Sequence, residues 1–145
     1  MSYRLVASCF VPGRAKTKGS LDFQPGAKCT CCPRCEAYKP GGRAVENVAG
    51  SSRWRQLVAY EAGRAMAGAG GPIEGPVTVV AVFYLVAEQV WSGRVGDDDK
   101  LARNVLDALQ DAGVYADDVQ VVDLLAFKRS RPERPGVDLR ILVPS

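Results

Sequence analysis

Histidine is absent from this chain, so any zinc it held would have to be bound by thiolates or carboxylates. Long apolar runs are absent as well, and no stretch approaches the ~18 apolar residues that a transmembrane helix needs. The opening MSYRLVASCFVPGRAK lacks the basic, then apolar, then small-residue order of a secretory signal. These absences point to a soluble, cytoplasmic protein. Acids are scarce at the front: residues 1–55 carry ten Lys/Arg against Asp22, Glu36 and Glu46, a net +7. Residues 56–145 carry nine bases and thirteen acids, a net −4. Such a split suits a polyanion bound by one part and a metal held by the other, with segregated surface charge as the bland alternative. At 145 residues and 47% apolar content, the chain fits one domain, 1–145, with a real core.

What is present divides into short periodic segments around one long irregular stretch. Tyr3–Val11 is rich in β-branched and aromatic residues and closes on Pro12-Gly13, the signature of a strand. Cys9 within it reads as a small core residue. From about 13 to 50 no period is sustained, and a loop of that length in a compact domain is usually functional or mobile. Its first part, GRAKTKGS, places Arg14, Lys16 and Lys18 at alternate positions. An extended backbone points all three the same way, where they can follow a phosphate backbone. Ser51 to about Ala67 reads as a helix capped by Ser51 or Ser52, with Trp54, Leu57, Val58, Ala62 and Ala65 at helical spacing. Arg53 and Arg55 load its first turn with positive charge, which the helix dipole disfavours unless an anion lies nearby. Val77–Val86 is almost uninterruptedly apolar and reads as a central strand. Trp91 and Arg94 follow in a polar loop, an aromatic beside a cation that can meet nucleic acid.

The irregular stretch contains CTCCPRC, with Cys29, Cys31, Cys32 and Cys35. Four thiolates can make a tetrahedral structural zinc site. The four fall within seven residues, a tight fit beside the usual two separated knuckles. A Cys32–Cys35 disulfide or a metal shared between subunits are the alternatives. A zinc here would staple the loop and perform no chemistry.

The segment Gly96–Lys128 carries the chemistry. Asp97, Asp98 and Asp99 precede a helix of about 98–112, whose apolar stripe is Leu101, Val105, Ala108, Leu109 and Ala112, with Gly113 to end it. Asp117 and Asp118 follow a turn and precede the strand VQVVDLLAF. The first cluster alone is adequately explained as a helix cap, and Asp99, Arg103 and Asp107 as surface ion pairs. Two clusters brought together by folding would repel unless a cation neutralised them, and magnesium takes such oxygen ligands together with substrate phosphates. Asp123 falls on one strand face with Val119, Val121, Leu125 and Phe127, as a hydrogen-bonded acid near the site.

These residues also carry a resemblance. Asp97-Asp98-Asp99-Lys100-Leu101, Leu106-Asp107-Ala108-Leu109, Gly113 through Val121 and the later Lys128 resemble the RusA family of Holliday junction resolvases. That family's pattern runs D-x-D-N-L-x-K, a D-A-L element, a Gly-hydrophobic turn, D-D-x-Q-V and a later Lys. Val11-Pro12 and the basic run to Lys18 resemble its N-terminal segment. The resemblance implies a homodimeric endonuclease of mixed α/β fold that places paired nicks across a four-way DNA junction, using magnesium or manganese. It implies Asp97 and Asp99 as metal-binding acids, with Asp118 and Asp117 as the later pair. Lys100 stands where the family has Asn, and Arg103 where it has a Lys that assists at the phosphate. Arg keeps the charge but donates a proton less readily, so a transition-state clamp survives the exchange better than a proton-transfer role.

The expected fold is a two-layer α/β (α+β) domain with a small mixed sheet and two main helices, the last strand being 137–143. Asp97, Asp99, Asp118 and Arg103 are the catalytic candidates, and Arg14, Lys16, Lys18 and Lys128 the DNA contacts. A broader branched-DNA or flap nuclease, and a non-catalytic zinc-stapled DNA-binding module, are the rival readings.

Overall fold

A computed structural model describes residues 1–18, 21–24, 43–46, 49–86 and 98–145, with the backbone alone for 21–24, 43–46 and 98. In order these form β1 (Tyr3–Pro12), β2 (Leu21–Gln24), β3 (Arg43–Glu46), α1 (Ser51–Ala65), β4 (Val77–Leu85), α2 (Asp98–Asp111), a 3₁₀ turn (Asp118–Gln120), β5 (Val121–Ser130) and β6 (Gly136–Pro144). The main sheet has the order β1-β6-β4-β5. β6 is antiparallel to both β1 and β4, whereas β5 is parallel to β4, so the sheet is mixed. The expected architecture of a four-stranded mixed sheet with two helices is the one observed.

The parallel pair follows from the connection between its strands: β4, α2 and β5 make one βαβ crossover. α2 packs by the stripe Leu101, Val105, Ala108 and Leu109, all essentially buried. Its end is written by Gly113, whose φ of 72° suits glycine. There Val114 N–H donates to Leu109 O at 3.0 Å and Gly113 N–H to Gln110 O at 3.0 Å, a Schellman ending.

Helix α1 buries Trp54, Val58 and Ala62 on the same layer, packed against α2 and β1. Opposite them lie Ala7 and Val11 of β1, Val79, Ala81 and Phe83 of β4, and Val137, Leu139 and Ile141 of β6, all in one core cluster. Fully burying each large member is worth about 1.5–3 kcal/mol.

The second face of the sheet follows from the registers. Leu125 pairs with Val80 and Phe127 with Val82, Val80 with Arg140 and Val82 with Asp138, and Leu5 with Leu142. Neither helix packs on this face, and Leu5, Leu125 and Phe127 are exposed on it. β4 is therefore a central strand under a single helix layer.

Four local readings change. The 13–50 stretch contains the antiparallel β2–β3 ladder, Leu21 opposite Glu46 through Gln24 opposite Arg43; four-residue strands are too short to show a period. Helix α1 is not capped by serine: Gly50 is the N-cap residue at φ 80°, and no side chain caps the helix. Leu57, placed in the helix stripe, is 36% exposed and stands at its margin. A register shift at Val77/Thr78 leaves Val122 unpaired in β5, so the alternation that would group Val121 with Asp123 breaks there.

Candidate functional site

The chemistry-bearing residues are positioned by α2 and by what is fastened to it. Asn104, 1% exposed, faces the layer of buried residues. Its Nδ2 donates to Lys16 O at 3.0 Å and to Ser51 Oγ at 3.1 Å. Two residues further along, Lys18 N–H donates to Lys100 O at 3.1 Å. The basic segment Arg14–Lys18 is thereby laid against the first half of α2, the helix that begins with the acids. Sequence reasoning missed Asn104. The available signal was its place three residues after Leu101 and four before Ala108, on the apolar side of a helix where an amide must find partners.

Ion pairs reinforce the attachment. Lys18 Nζ lies 2.6 Å from Asp107 Oδ2. Arg55 holds Asp111 through both carboxylate oxygens, Nε to Oδ2 at 2.6 Å and Nη2 to Oδ1 at 2.9 Å. These hydrogen bonds hold the Asp111 carboxyl below the usual carboxylate range. Arg103 meets Asp99 at 3.7 Å, with both side chains well exposed. Asp107, expected in series with Arg103, pairs with Lys18 instead.

The second acidic cluster is a capped turn. Asp117 Oδ1 accepts from Val119 N–H at 3.0 Å, and Gln120 Oε1 accepts from Ala116 N–H at 2.9 Å and more distantly from Asp117 N–H, a capping box. Gln120 Nε2 donates to Ile73 O at 2.8 Å and Gly75 O at 3.0 Å, tying the turn to the segment before β4. The Asp117-x-x-Gln120 spacing was the legible signal for this role. One Asp117 oxygen is thus occupied by the cap, while Asp118 is exposed and its carboxylate accepts no hydrogen bond among the described residues. Between the clusters, the buried Tyr115 O–H donates to Leu106 O at 2.9 Å. Burial, with the charges of Asp118 and Asp107, drives its pKa far upward, so it stays a neutral donor.

Of the two acidic clusters, the described members lie at either end of α2 in the chain. Asp99 stands in the first turn of α2, and Asp117 and Asp118 follow its end, where Ile73 N–H donates to Val114 O beside the start of β4. Helix α2 has 14 residues, an axial rise of about 20 Å from end to end. Among the described residues no three acidic or cysteine side chains form a metal-holding group. Asp97, the side chain of Asp98, the cluster Cys29, Cys31, Cys32 and Cys35, and Trp91 and Arg94 lie outside the described residues.

Lys128 pairs in register with Phe83, near the C-terminal end of β4, at the sheet end from which the chain leads to α2. Asp123 is not part of the site: it accepts from Tyr3 Oη at 3.1 Å and Thr78 Oγ1 at 3.4 Å on the helix-free face. Cys9 is half-buried and burial pushes its thiol up to about 11, which makes it unreactive at neutral pH, as its strand position suggested. Sequence reasoning also passed over three arginines around the β5–β6 turn. Arg129 lies 5.3 Å over Phe127, Arg131 5.1 Å over Tyr84 and Arg134 4.3 Å over Phe10.

No helix among the described residues is long and apolar enough to cross a membrane. None of the curated proteins matches the chain. The family model for endodeoxyribonuclease RusA matches residues 30–142, a span that holds α1, β4, the acid-bearing α2 and the Asp117–Gln120 turn. This chain is an endodeoxyribonuclease of the RusA family.

Proposed function

We propose that the chain resolves four-way DNA junctions by paired symmetric nicks, as a magnesium-dependent homodimer built from single-domain subunits. The observation that carries this reading, beside the family match, is the fastening of the basic segment Arg14–Lys18 along α2 by Asn104 and the Lys18 backbone. It lays cations that follow a phosphate backbone beside the helix that begins with the acids.

Asp97, Asp99 and Asp118 would hold the cation, with Asp117 beside them. The donor set fits: these are oxygen ligands, as a hard ion requires, and the Asp118 carboxylate has no competing hydrogen bond among the described residues. A bound magnesium supplies Lewis acidity at the scissile phosphate and a water of lowered pKa; manganese supplies the same chemistry. Arg103, exposed and only loosely paired with Asp99, clamps the charge that develops on the phosphate. Arg14, Lys16, Lys18 and Lys128 contact the flanking backbone. Lys18 exchanges Asp107 for a phosphate when DNA arrives.

A homodimer brings a second copy of each cluster, so acids of both copies are available to one cation. The helix-free sheet face, with Leu5, Leu125 and Phe127 exposed, supports such an assembly. A self-complementary apolar face suits a two-fold contact.

The test is cleavage of a synthetic four-way junction, a flap and plain duplex, with and without magnesium, beside Asp118→Asn. Magnesium-dependent paired nicks in the junction, lost by at least 100-fold in the variant, are expected. Unchanged magnesium-dependent cutting by Asp118→Asn defeats the assignment of that ligand. Equal cutting of flaps shifts the substrate to branched DNA in general, and binding without any cutting favours a DNA-binding module. Metal analysis reads the Cys29–Cys35 cluster separately: one zinc per chain or per dimer supports a structural staple, and none removes it.

A further inference from the structure

Helix α1 begins in an unusual way. Its N-cap position is Gly50, no side chain caps it, and its first turn holds no acid. The first N–H groups of a helix carry partial positive charge and need acceptors. Here the sequence adds cations instead. Arg53 lies in that first turn, and Arg14 and Lys16 come from the preceding basic segment. The three line one hollow of about 230 Å³ with Gly13, Gly50, Trp54 and Leu57.

None of the three cations has an ion-pair partner among the described residues, whereas the neighbouring Lys18, Arg55 and Arg64 all do. Three like charges and a bare helix start around one hollow repel unless an anion occupies it. A second observation concerns Trp54. It lines the hollow, is 4% exposed, and its buried indole N–H has no acceptor among the described residues. The two glycines keep the rim open: a side chain at Gly13 would meet the Trp54 ring at 3.3 Å, and Gly50 sits at φ 80°, which side chains rarely adopt.

We propose that this hollow is a subsite for one phosphodiester of the bound DNA strand, with Arg53 as its principal ligand and Arg14 and Lys16 beside it. The inference rests on the nuclease reading and deepens it by fixing where the strand is gripped. Its position relative to the acids follows from the chain. The segment that rims the hollow continues from Arg14 to Lys18, roughly 13 Å if extended, and Lys18 is hydrogen-bonded to Lys100 O at the start of α2. A strand gripped in the hollow and laid along this segment arrives at the first turn of α2, where Asp99 stands. Arg53 is a binding residue here and touches no reacting atom.

The test measures binding of a four-way junction to the full chain, without divalent ions so that nothing is cut, across a range of salt concentrations. Each phosphate contact contributes close to one unit to the slope of log affinity against log salt. Arg53→Ala lowers that slope by about one unit and the affinity about tenfold at moderate salt. Arg53→Lys keeps the slope near the parent's. Arg64→Ala, at the far end of α1 and paired with Glu61, leaves it unchanged. Arg53 is exposed, so folding is expected to be intact and is checked by circular dichroism. An Arg53→Ala slope equal to the parent's, or an equal loss in Arg64→Ala, overturns the subsite while leaving the nuclease reading in place. A parent chain that does not bind the junction overturns both.

Discussion

Asn104 shows how one buried amide can decide where a basic segment runs. Its Nδ2 faces two backbone carbonyls, Lys16 O at 3.0 Å and Ser51 O at 3.5 Å, along with the Ser51 hydroxyl. The amide nitrogen supplies a donor to these groups. Asn104→Ala leaves them without it in a buried place and is expected to cost about 1–3 kcal/mol. Asn104→Asp keeps the shape but turns a carboxylate, which only accepts, toward the carbonyls. The aspartate variant is expected to be at least as destabilised as the alanine one at pH 7, measured by the urea midpoint. Both should also weaken junction binding, because Arg14, Lys16 and Lys18 lose their attachment to α2. A urea midpoint within error of the parent in both variants removes the anchoring role.

At the scale of elements, α1 and α2 are clamped by Arg55 on Asp107 and Asp111, and that clamp has a pH signature. Arg55 depresses the Asp111 pKa in the folded chain, largely through its hydrogen bonds. A depressed carboxylate contributes stability that is present above its unfolded value of about 3.9 and is lost as pH falls through the folded value. The parent chain therefore loses this contribution below about pH 4. Arg55→Gln removes it at neutral pH, so parent and variant differ in unfolding midpoint at pH 7 and the gap narrows as pH falls through the acid range. A midpoint gap that persists undiminished at pH 3 points to lost packing and not to the charge pair. The elements themselves were largely legible. The stripe of α2, its glycine ending and the apolar β4 are local patterns, and the structure carries all three. The β2–β3 ladder, the bare start of α1 and the bulge at Val122 were not, because each is set by pairing or packing with residues distant in the chain. The candidate site divides in the same way. Residue types and spacing marked Asp99, Asp117 and Asp118, but their places at either end of α2 in the fold depend on the parallel crossover, and Asn104 shows its role only once its partners are in place.

For the whole molecule, the sheet face that no helix covers among the described residues is the feature that a lone subunit leaves unexplained. Leu5 is 52% exposed, Leu125 43% and Phe127 37%, in register with Leu142, Val80 and Val82 across four strands. A contiguous apolar face of this kind marks an interaction site more often than idle surface. Asp138 and Arg140 lie on the same face by register, so two copies related by a two-fold axis can set opposite charges against one another while their apolar residues meet. The prediction follows from what a charge costs there. Leu125→Asp with Phe127→Asp places two carboxylates in the contact but in solvent in the free subunit. The double variant should keep the parent's circular dichroism and sediment as a monomer, while the parent sediments as a dimer at micromolar concentration. If the active site needs acids from both copies, the monomer loses cutting altogether. If each copy's site is complete, it keeps single, uncoupled nicks. A parent chain that sediments as a monomer in the presence of junction and magnesium, yet nicks both strands symmetrically, rules out the dimer and with it the sharing of acids between copies.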